Sequence, residues 1–360
     1  MESPAAPLPA AAGCSRPGER RAERLGPAPD AGLTDPIGRR ITYLRLSILE
    51  SCNLRCTYCR PAEEAGVAAL PPRMETGEIV RLAALFVSLG VRKVRLTGGE
   101  PTLHSGLVPV VRALAAFAPR PPLVALTTNG VLLPRLARPL AEAGLAQVNV
   151  SLDATTREAF RAMTGRDRLD AVRAGIDAAL ASGISRVKIN AVIVGGQNED
   201  QLLPLALLAR DLPVDVRFIE YMPMPGSPRE PGMTLPAEEI ERRLARAFAL
   251  EENPRETDSG PARTFSVAGF RGRIGLISPF SVRFCSDCNR LRVTARGALR
   301  LCLLGGGEAD LLGPIRAGAS DDELAVLVRE ALRGKAERHP LERASEAAPP
   351  CATPMWAVGG

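Results

Sequence analysis

Six cysteines fall into two groups of three in a chain of 360 residues. Cys52, Cys56 and Cys59 follow the spacing C-x3-C-x2-C, and Cys285, Cys288 and Cys302 follow C-x2-C-x13-C. A disulfide framework suits a secreted chain, and three thiols cannot all pair. Structural zinc takes four ligands, and with no histidine beside either trio one coordination place stays empty. Thiolates also hold iron-sulfur clusters, where four cysteines are usual. A 4Fe-4S cube held by only three thiolates leaves one iron open to another ligand, which is a catalytic position. A three-cysteine zinc site completed by an outside ligand is the competing reading of the second trio.

Other residues carry chemistry beside these thiols. In TGGEP (97–101), Gly98 and Gly99 let backbone approach a ligand closely and Glu100 brings charge suited to an ammonium group, although a Gly-Gly turn is commonly only a turn. Ser151 ends the run NVSLD, and Met222 follows another apolar run, where a methionine is ordinarily core. Arg290 and Arg292 lie between the cysteines of the second trio, on one face if the segment is extended. Their guanidinium forks suit phosphate or the guanine O6/N7 edge, whereas a solvated surface pair is the plain alternative. Of 46 cationic residues only Lys93, Lys188 and Lys335 are lysine.

The elements that must position these residues alternate. Strands are expected at 43–49, 92–97, 123–127, 147–152, 186–194 and 214–219, with helical patterns such as 76–89 and 167–182 between them. Strand-helix repeats of this kind give a parallel sheet that closes fully or partly into a barrel, with the helices outside and the active face at the C-terminal strand ends. After residue 220 a Pro- and Gly-rich stretch breaks the alternation. A second module follows, with helices expected at 236–248 and 321–332 and strands at 264–267, 274–278 and 291–295. The resulting division is a disordered leader over 1–34, a barrel over 35–225, a C-terminal module over 226–345 and a tail over 346–360.

Composition bounds the function class. The formal charge of +6 is spread among interspersed acidic residues, which suits a nucleotide substrate as well as nucleic acid. The first 33 residues are rich in Ala, Pro, Gly and Arg, and Pro4, Pro7 and Pro9 interrupt any signal-like apolar run. No segment approaches the roughly 18 apolar residues that span a bilayer. A soluble cytoplasmic protein with reduced thiols is therefore expected, without membrane or nucleic-acid partners.

The C-x3-C-x2-C loop after a first barrel strand, with Tyr58 before its last cysteine, resembles the radical S-adenosylmethionine superfamily. With RLTGGEPTL, LTTNG, NVSLDA, RFIEYM, GLISPFS, FCSDCNRLRVT and the terminal Gly-Gly, residues 35–360 closely resemble the GTP 3′,8-cyclase family. The resemblance implies an α/β fold, a partial (β/α)6 TIM-like barrel with a smaller C-terminal α+β domain carrying a second iron-sulfur cluster. It implies two 4Fe-4S clusters, on Cys52, Cys56 and Cys59 and on Cys285, Cys288 and Cys302, together with S-adenosylmethionine touching Tyr58, Gly99, Ser151 and Met222. GTP would meet Arg45, Arg95, Thr127, Lys188, Arg290 and Arg292, with Lys93 a weaker candidate. Arg290, Arg292, Gly359 and Gly360 would support catalysis, the last two as a tail reaching into the site.

The implied reaction converts GTP to 3′,8-cyclo-7,8-dihydro-GTP, the first step of molybdenum cofactor biosynthesis, by radical abstraction of the ribose C3′ hydrogen and attack on C8. A reductant of unknown identity and the next enzyme, cyclic pyranopterin monophosphate synthase, would be its partners, and the family is often dimeric. Ser51 stands where the family commonly has an arginine, and Cys14 and Cys351 lie outside both trios. Two rival readings are a peptide-modifying radical S-adenosylmethionine enzyme with an auxiliary cluster and a zinc-stabilised nucleic-acid binding protein. The second rival calls for clustered basic and aromatic residues, and the chain has only 9 Phe, 3 Tyr and 1 Trp with no such cluster.

Overall fold

Apolar and polar side chains alternate along the strands, and this period of two decides which face of the sheet each residue meets. The computed structural model describes residues 32–59, 73–224, 227–254, 260–279, 281, 285–305, 308–338 and 355–358. Its first half runs β1 (Tyr43–Ser47), α1 (Thr76–Ser88), β2 (Lys93–Thr97), α2 (Leu107–Ala115), β3 (Leu123–Thr128), α3 (Leu133–Glu142), β4 (Gln147–Ser151), α4 (Arg157–Thr164) and α5 (Leu169–Ala181). It continues through β5 (Arg186–Ile193), α6 (Leu202–Asp211) and β6 (Asp215–Glu220). The second half contains α7 (Ala237–Ala245), β7 (Glu251–Glu252), β8 (Arg263–Ser266), β9 (Arg273–Ile277), β10 (Arg290–Val293), β11 (Ala298–Arg300), β12 (Glu308–Asp310), α8 (Leu312–Arg316), α9 (Asp321–Leu332) and α10 (Met355–Val358). The six expected barrel strands are β1 to β6: four are trimmed by one or two residues, β3 is one residue longer, and β6 is shifted by one residue.

All twelve strands form one sheet in the order β12-β11-β10-β1-β2-β3-β4-β5-β6-β9-β8-β7. The six barrel strands pair in parallel, and the second module adds a parallel strand at each edge, β10 beside β1 and β9 beside β6. The remaining four strands extend the edges as antiparallel ribbons. The second half therefore does not stand apart from the barrel sheet: it satisfies the main-chain groups that β1 and β6 would otherwise expose. The barrel stays open between β9 and β10, and the segment joining them carries Cys285 and Cys288 across that opening.

The outward residues of the strands are apolar and closed off from solvent. Leu44, Leu46, Val94, Leu96, Leu126, Val148, Val150, Ile189 and Phe218 join Leu82, Phe86, Val110, Leu114 and Leu140 of the helices in one continuous core. Burial of such side chains contributes about 1.5–3 kcal/mol each before chain entropy is counted. The helices are begun by local signals: Glu75 with Glu78 forms a capping box at α1, and Ser320 with Glu323 does so at α9. The inward residues are mostly polar, as the next subsection describes.

Gly272 marks the seam between the two halves. A Cβ there would lie 2.0 Å from the Val214 carbonyl oxygen, just where the Arg273 amide bonds to that carbonyl and β9 starts along β6. Gly272→Ala is expected to cost about 1–3 kcal/mol of stability. Denaturant unfolding followed by circular dichroism should show one transition moved to lower denaturant. An early, separate transition for the C-terminal half would contradict a shared sheet.

Candidate active site

The inward residues of β1 to β6, β9 and β10 line a single cavity of about 370 Å³, and both cysteine trios open onto it. Strand register fixes where the trios attach. Cys52, Cys56 and Cys59 follow the C-terminal end of β1. Cys288 lies two residues before β10, whose first residue Arg290 pairs with Tyr43 at the N-terminal end of β1. Cys302 lies two residues past β11, whose Arg300 pairs with Arg292. The two trios are thus attached at opposite ends of β1, a five-residue strand spanning roughly 15 Å at about 3.3 Å per residue.

At the first trio, the loop is seated by the ends of β2 and β3. A Cβ on Gly98 would lie 2.3 Å from the Leu49 carbonyl oxygen, and one on Gly99 would lie 2.4 Å from those of both Glu50 and Ser51. The glycines let β2 approach the backbone that leads into Cys52, and the Gly99 and Glu100 amides donate to Leu49 and Ser51 at 2.6 and 2.8 Å. Glu100 does not face the cavity. It is buried and accepts hydrogen bonds from Thr102 Oγ1, Thr128 Oγ1 and the amides of Thr102 and Asn129, and burial raises its pKa. The expectation that it meets an ammonium group is corrected: it ties β2 to β3.

The chemistry of these thiols favours a cationic centre. Burial, then Asp153 and the neighbouring Cys59 and Cys52, hold the Cys56 thiol well above its usual pKa, so bare thiolates oppose one another and a cationic centre would reverse that cost. Leu54 N donates to Cys52 Sγ at 3.4 Å. Tyr58, between two of the cysteines, donates to Asp153 Oδ2 at 2.8 Å, and Asp153 is lifted to about 6 by burial against the hydrogen bonds it accepts from Val192 N and Tyr58. Asn149 Oδ1 and Thr97 Oγ1 are buried without a partner on cavity-lining residues, acceptors suited to a polar ligand.

Between the trios the cavity wall is cationic. Arg45, Lys93, Arg95, Lys188, Arg217, Arg290 and Arg292 line it against only Asp153 and Glu220. The register places them as neighbours: Arg292, Arg45 and Arg95 stand side by side, as do Asn149, Lys188 and Asp215, and Asn190 with Arg217. Burial, then Arg217, lowers Lys188 to about 7, and burial, then Arg95 and Arg217, lowers Lys93 to about 8. Burial and neighbouring arginines bring Arg217 and Arg292 to about 9. Arg292 Nε is buried with no hydrogen-bond partner. Tyr43 accepts from Arg95 Nε at 2.6 Å; burial opposes its ionisation, yet Arg95, Arg45 and Lys93 outweigh burial and lower it to about 6. A cavity so charged calls for a polyanion.

The second trio shows the opposite electrostatics to the first. Burial raises Cys288, but Arg290, Lys335 and Arg292 outweigh it and bring the thiol to about 7, so thiolate is favoured there. Among the described residues no three His, Cys, Asp or Glu side chains are gathered for a single metal ion. The fit of both trios therefore rests on their donor sets, three thiols facing one cavity from each end.

Every residue expected to touch cofactor or substrate lines this cavity: Tyr58, Gly99, Ser151, Met222, Arg45, Arg95, Thr127, Lys188, Arg290, Arg292 and Lys93. Met222, two residues past the C-terminal end of β6, is clustered with Met224 and Leu304, and Cys302 packs against that cluster. Gly359 and Gly360 lie outside the described residues, as do Cys14 and Cys351, but α10 brings Met355 to the cavity wall immediately before them. The sequence reading passed over Tyr43, Asn190 and Arg217. Arg217 donates from Nε and Nη2 to Asn190 Oδ1 at 3.0 and 2.6 Å. Their signal was present in the alternation: each sits two residues from a strand neighbour on the inward face.

Residues 46–209 match the Radical SAM superfamily, and residues 214–341 match Molybdenum Cofactor Synthesis C. The GTP 3′,8-cyclase of Moorella thermoacetica is 44% identical over 310 residues, covering 86% of this chain and 96% of that one. That of Heliobacterium modesticaldum is 44% identical, covering 85% and 94%. Molybdenum cofactor biosynthesis protein 1 of Homo sapiens is 40% identical over 86% of this chain and 48% of its own. Among solved structures, Streptococcus suis SuiB shares the fold at a TM-score of 0.59 and 15% identity, covering 82% of this chain and 68% of that one.

The seating of the first trio gives a direct test. Gly99→Ala must push back two carbonyl oxygens of the loop entering Cys52, a strain of about 1–3 kcal/mol. Iron bound after anaerobic reconstitution should fall at the first trio while the second trio keeps its share. Equal iron and equal thermal stability in variant and parent would show that the close approach is not needed.

Proposed function

This chain belongs to the GTP 3′,8-cyclase family of the radical SAM superfamily, and from that premise we propose how its cavity carries out the first step of molybdenum cofactor biosynthesis, the conversion of GTP to (8S)-3′,8-cyclo-7,8-dihydroguanosine 5′-triphosphate. One observation carries the reading: two three-thiol sites open from opposite ends onto one cavity whose wall is strongly cationic. A substrate with a triphosphate at one part and a purine at another suits such a chamber.

Cys52, Cys56 and Cys59 would hold a 4Fe-4S cluster, with S-adenosylmethionine beside it against Tyr58, Gly99, Ser151 and Met222. When bound, this pair would supply the radical chemistry that removes a hydrogen from the ribose. Cys285, Cys288 and Cys302 would hold a second cluster facing the purine. The Asp153 carboxylate fixes Tyr58, and the inward Asn149 and Thr97 offer acceptors near the cofactor end. Arg45, Arg95, Thr127, Lys188, Arg290 and Arg292 would bind GTP, with Lys93, Arg217 and Tyr43 added from the geometry. Their work is to neutralise the triphosphate and fix the ribose so that C3′ and C8 meet, a gain from orientation rather than from new acid-base chemistry.

The strands that carry these groups are rigid, because each is paired on both sides. Gly359 and Gly360, following α10, would extend the tail into the chamber. The chain reads as a leader over 1–34, a barrel module over 35–225, a C-terminal module over 226–345 and the tail beyond, working in the cytoplasm. No described helix is long and apolar enough to cross a membrane. A reductant, a homodimer partner and cyclic pyranopterin monophosphate synthase as acceptor of the product complete the proposal.

Anaerobic reconstitution with iron and sulfide, followed by S-adenosylmethionine, reductant and GTP, tests the assignment. About eight irons per chain and GTP-dependent 5′-deoxyadenosine with cyclised product are expected. Cys302→Ala should keep roughly half the iron and still consume S-adenosylmethionine slowly, yet form no cyclised nucleotide. Full product from that variant would remove the second trio from the reaction.

The lysines predict a proton linkage. Lys188 and Lys93 titrate at about 7 and 8 instead of 10.5, and a triphosphate beside them restores the charged form. GTP binding should therefore take up protons between about pH 7 and 9, and affinity should fall as pH rises through that range. Without ligand the sign is reversed: the unfolded chain binds more protons than the folded one between about pH 7 and 10.5, so the cost to folding of burying these lysines is greatest below pH 7 and is relieved as pH rises toward 10.5. Titration calorimetry of the holoenzyme in buffers of different ionisation enthalpy reads the uptake directly, and net proton release would contradict it.

A further inference from the structure

Lys335 and Arg39 lie outside the wall that meets substrate, yet both are buried cations, 5% and 8% exposed. Neither side chain is spent on the cavity. Arg39 Nη1 donates to the Cys285 carbonyl at 2.7 Å and to the Glu337 carbonyl at 3.0 Å, Nη2 donates to the Ala336 carbonyl at 2.8 Å, and Nε pairs with Asp35. Lys335 Nζ donates to the Arg290 carbonyl at 3.2 Å and to the Leu301 carbonyl. Leu301 immediately precedes Cys302, and Arg290 follows Cys288 by two residues. Two cations thus grip the main chain beside all three thiols of the second trio, and they are joined to each other through residues 335–337.

The charge of Lys335 sharpens the point. Its hydrogen bonds go to carbonyls, no carboxylate is within ion-pair range of its Nζ among the described residues, and burial disfavours its charge while the Cys288 and Cys302 thiols favour it. A buried ammonium without an anion is strongly disfavoured. In a chain with only 3 lysines among 46 cationic residues, a lysine stands here, its compact point charge set between two carbonyls.

We propose that Lys335 and Arg39 are positioning residues for the second three-thiol centre: together they set the main-chain geometry of Cys285, Cys288 and Cys302, and the Lys335 ammonium compensates the negative charge of the thiolate-held group. This rests on the second trio holding an iron-sulfur cluster. Lys335 acts on the group through charge and through the two carbonyls. Arg39 acts only through the backbone, linking the N-terminal hairpin at Asp35 to the exit of α9 and to Cys285.

The full-length chain carrying Cys56→Ala, so that only the second trio can keep a cluster, is reconstituted anaerobically. Iron per chain, loss of iron to a chelator and the midpoint potential followed by electron paramagnetic resonance are then compared among variants. In that background Lys335→Met should lower the potential and release iron several-fold faster, and Lys335→Arg should recover the potential while still releasing iron faster. Arg39→Lys should speed iron release with the potential unchanged. In the converse background, Cys288→Ala, none of these variants should alter iron held by the first trio.

Unchanged potential and unchanged release in Lys335→Met would overturn the charge role, and unchanged release in Arg39→Lys would overturn the backbone role. Should Lys335→Met lose its fold by circular dichroism, Lys335→Arg and Arg39→Lys decide the matter, since equal loss of iron from both trios would mean general destabilisation and would reject the proposal. If the Cys56→Ala parent binds no iron at all, the cluster assignment itself fails, which is a separate result.

Discussion

Positive charge held inside a barrel is the constraint on which the rest of this structure depends. Barrel interiors are ordinarily packed with branched apolar side chains, but here seven cations face inward and two carboxylates accompany them. Burial, reinforced by neighbouring cations, lowers Lys188, Arg217 and Arg292 well below their ordinary values. Such an interior is tolerable only if the outward faces of the same strands are firmly packed, and they are: the alternate residues of each strand lie in a continuous apolar core. Asp215 adds a local compensation by receiving Arg273 and standing near Lys188. The remaining charge makes the cavity a site suited to an anionic ligand.

A second constraint is close backbone approach at the first trio. The backbone leading into Cys52 is held because the two glycines directly after β2 approach it closely. Glu100 then locks β2 to β3 from the protein side. The motif TGGEP is therefore built to shape the loop at least as much as to meet a ligand. Asp153 completes the arrangement from β4 by fixing Tyr58.

The C-terminal half does two jobs with one set of strands. By pairing β10 with β1 and β9 with β6 it covers the open edges of the barrel, and the same pairing carries Arg290 and Arg292 into register with Tyr43 and Arg45. The crossing between β9 and β10 brings Cys285 and Cys288 to the far end of the cavity from the first trio. A separate domain with its own sheet could not fix that spacing so tightly, because inter-domain contacts are softer than a hydrogen-bonded ladder.

The two cysteine spacings, the six parallel strands and the inward arginines beside the second trio were legible in the sequence, since each is a local pattern of residue type and period. Glu100 was misread because a carboxylate after Gly-Gly looks available until Thr102, Thr128 and Asn129 are seen to surround it. Arg217, Tyr43 and Asn190 carried only the alternation as a signal, which says that they share a face with Ile219, Arg45 and Lys188 but not that this face turns toward a cavity. Lys335 and Arg39 gave no sign at all, being almost 300 residues apart and joined only through carbonyls. The sequence by itself determined which groups could bind metal and anions. Only the tertiary structure decided that both thiol trios share one chamber, because register and sheet order, not spacing along the chain, set distances between strands.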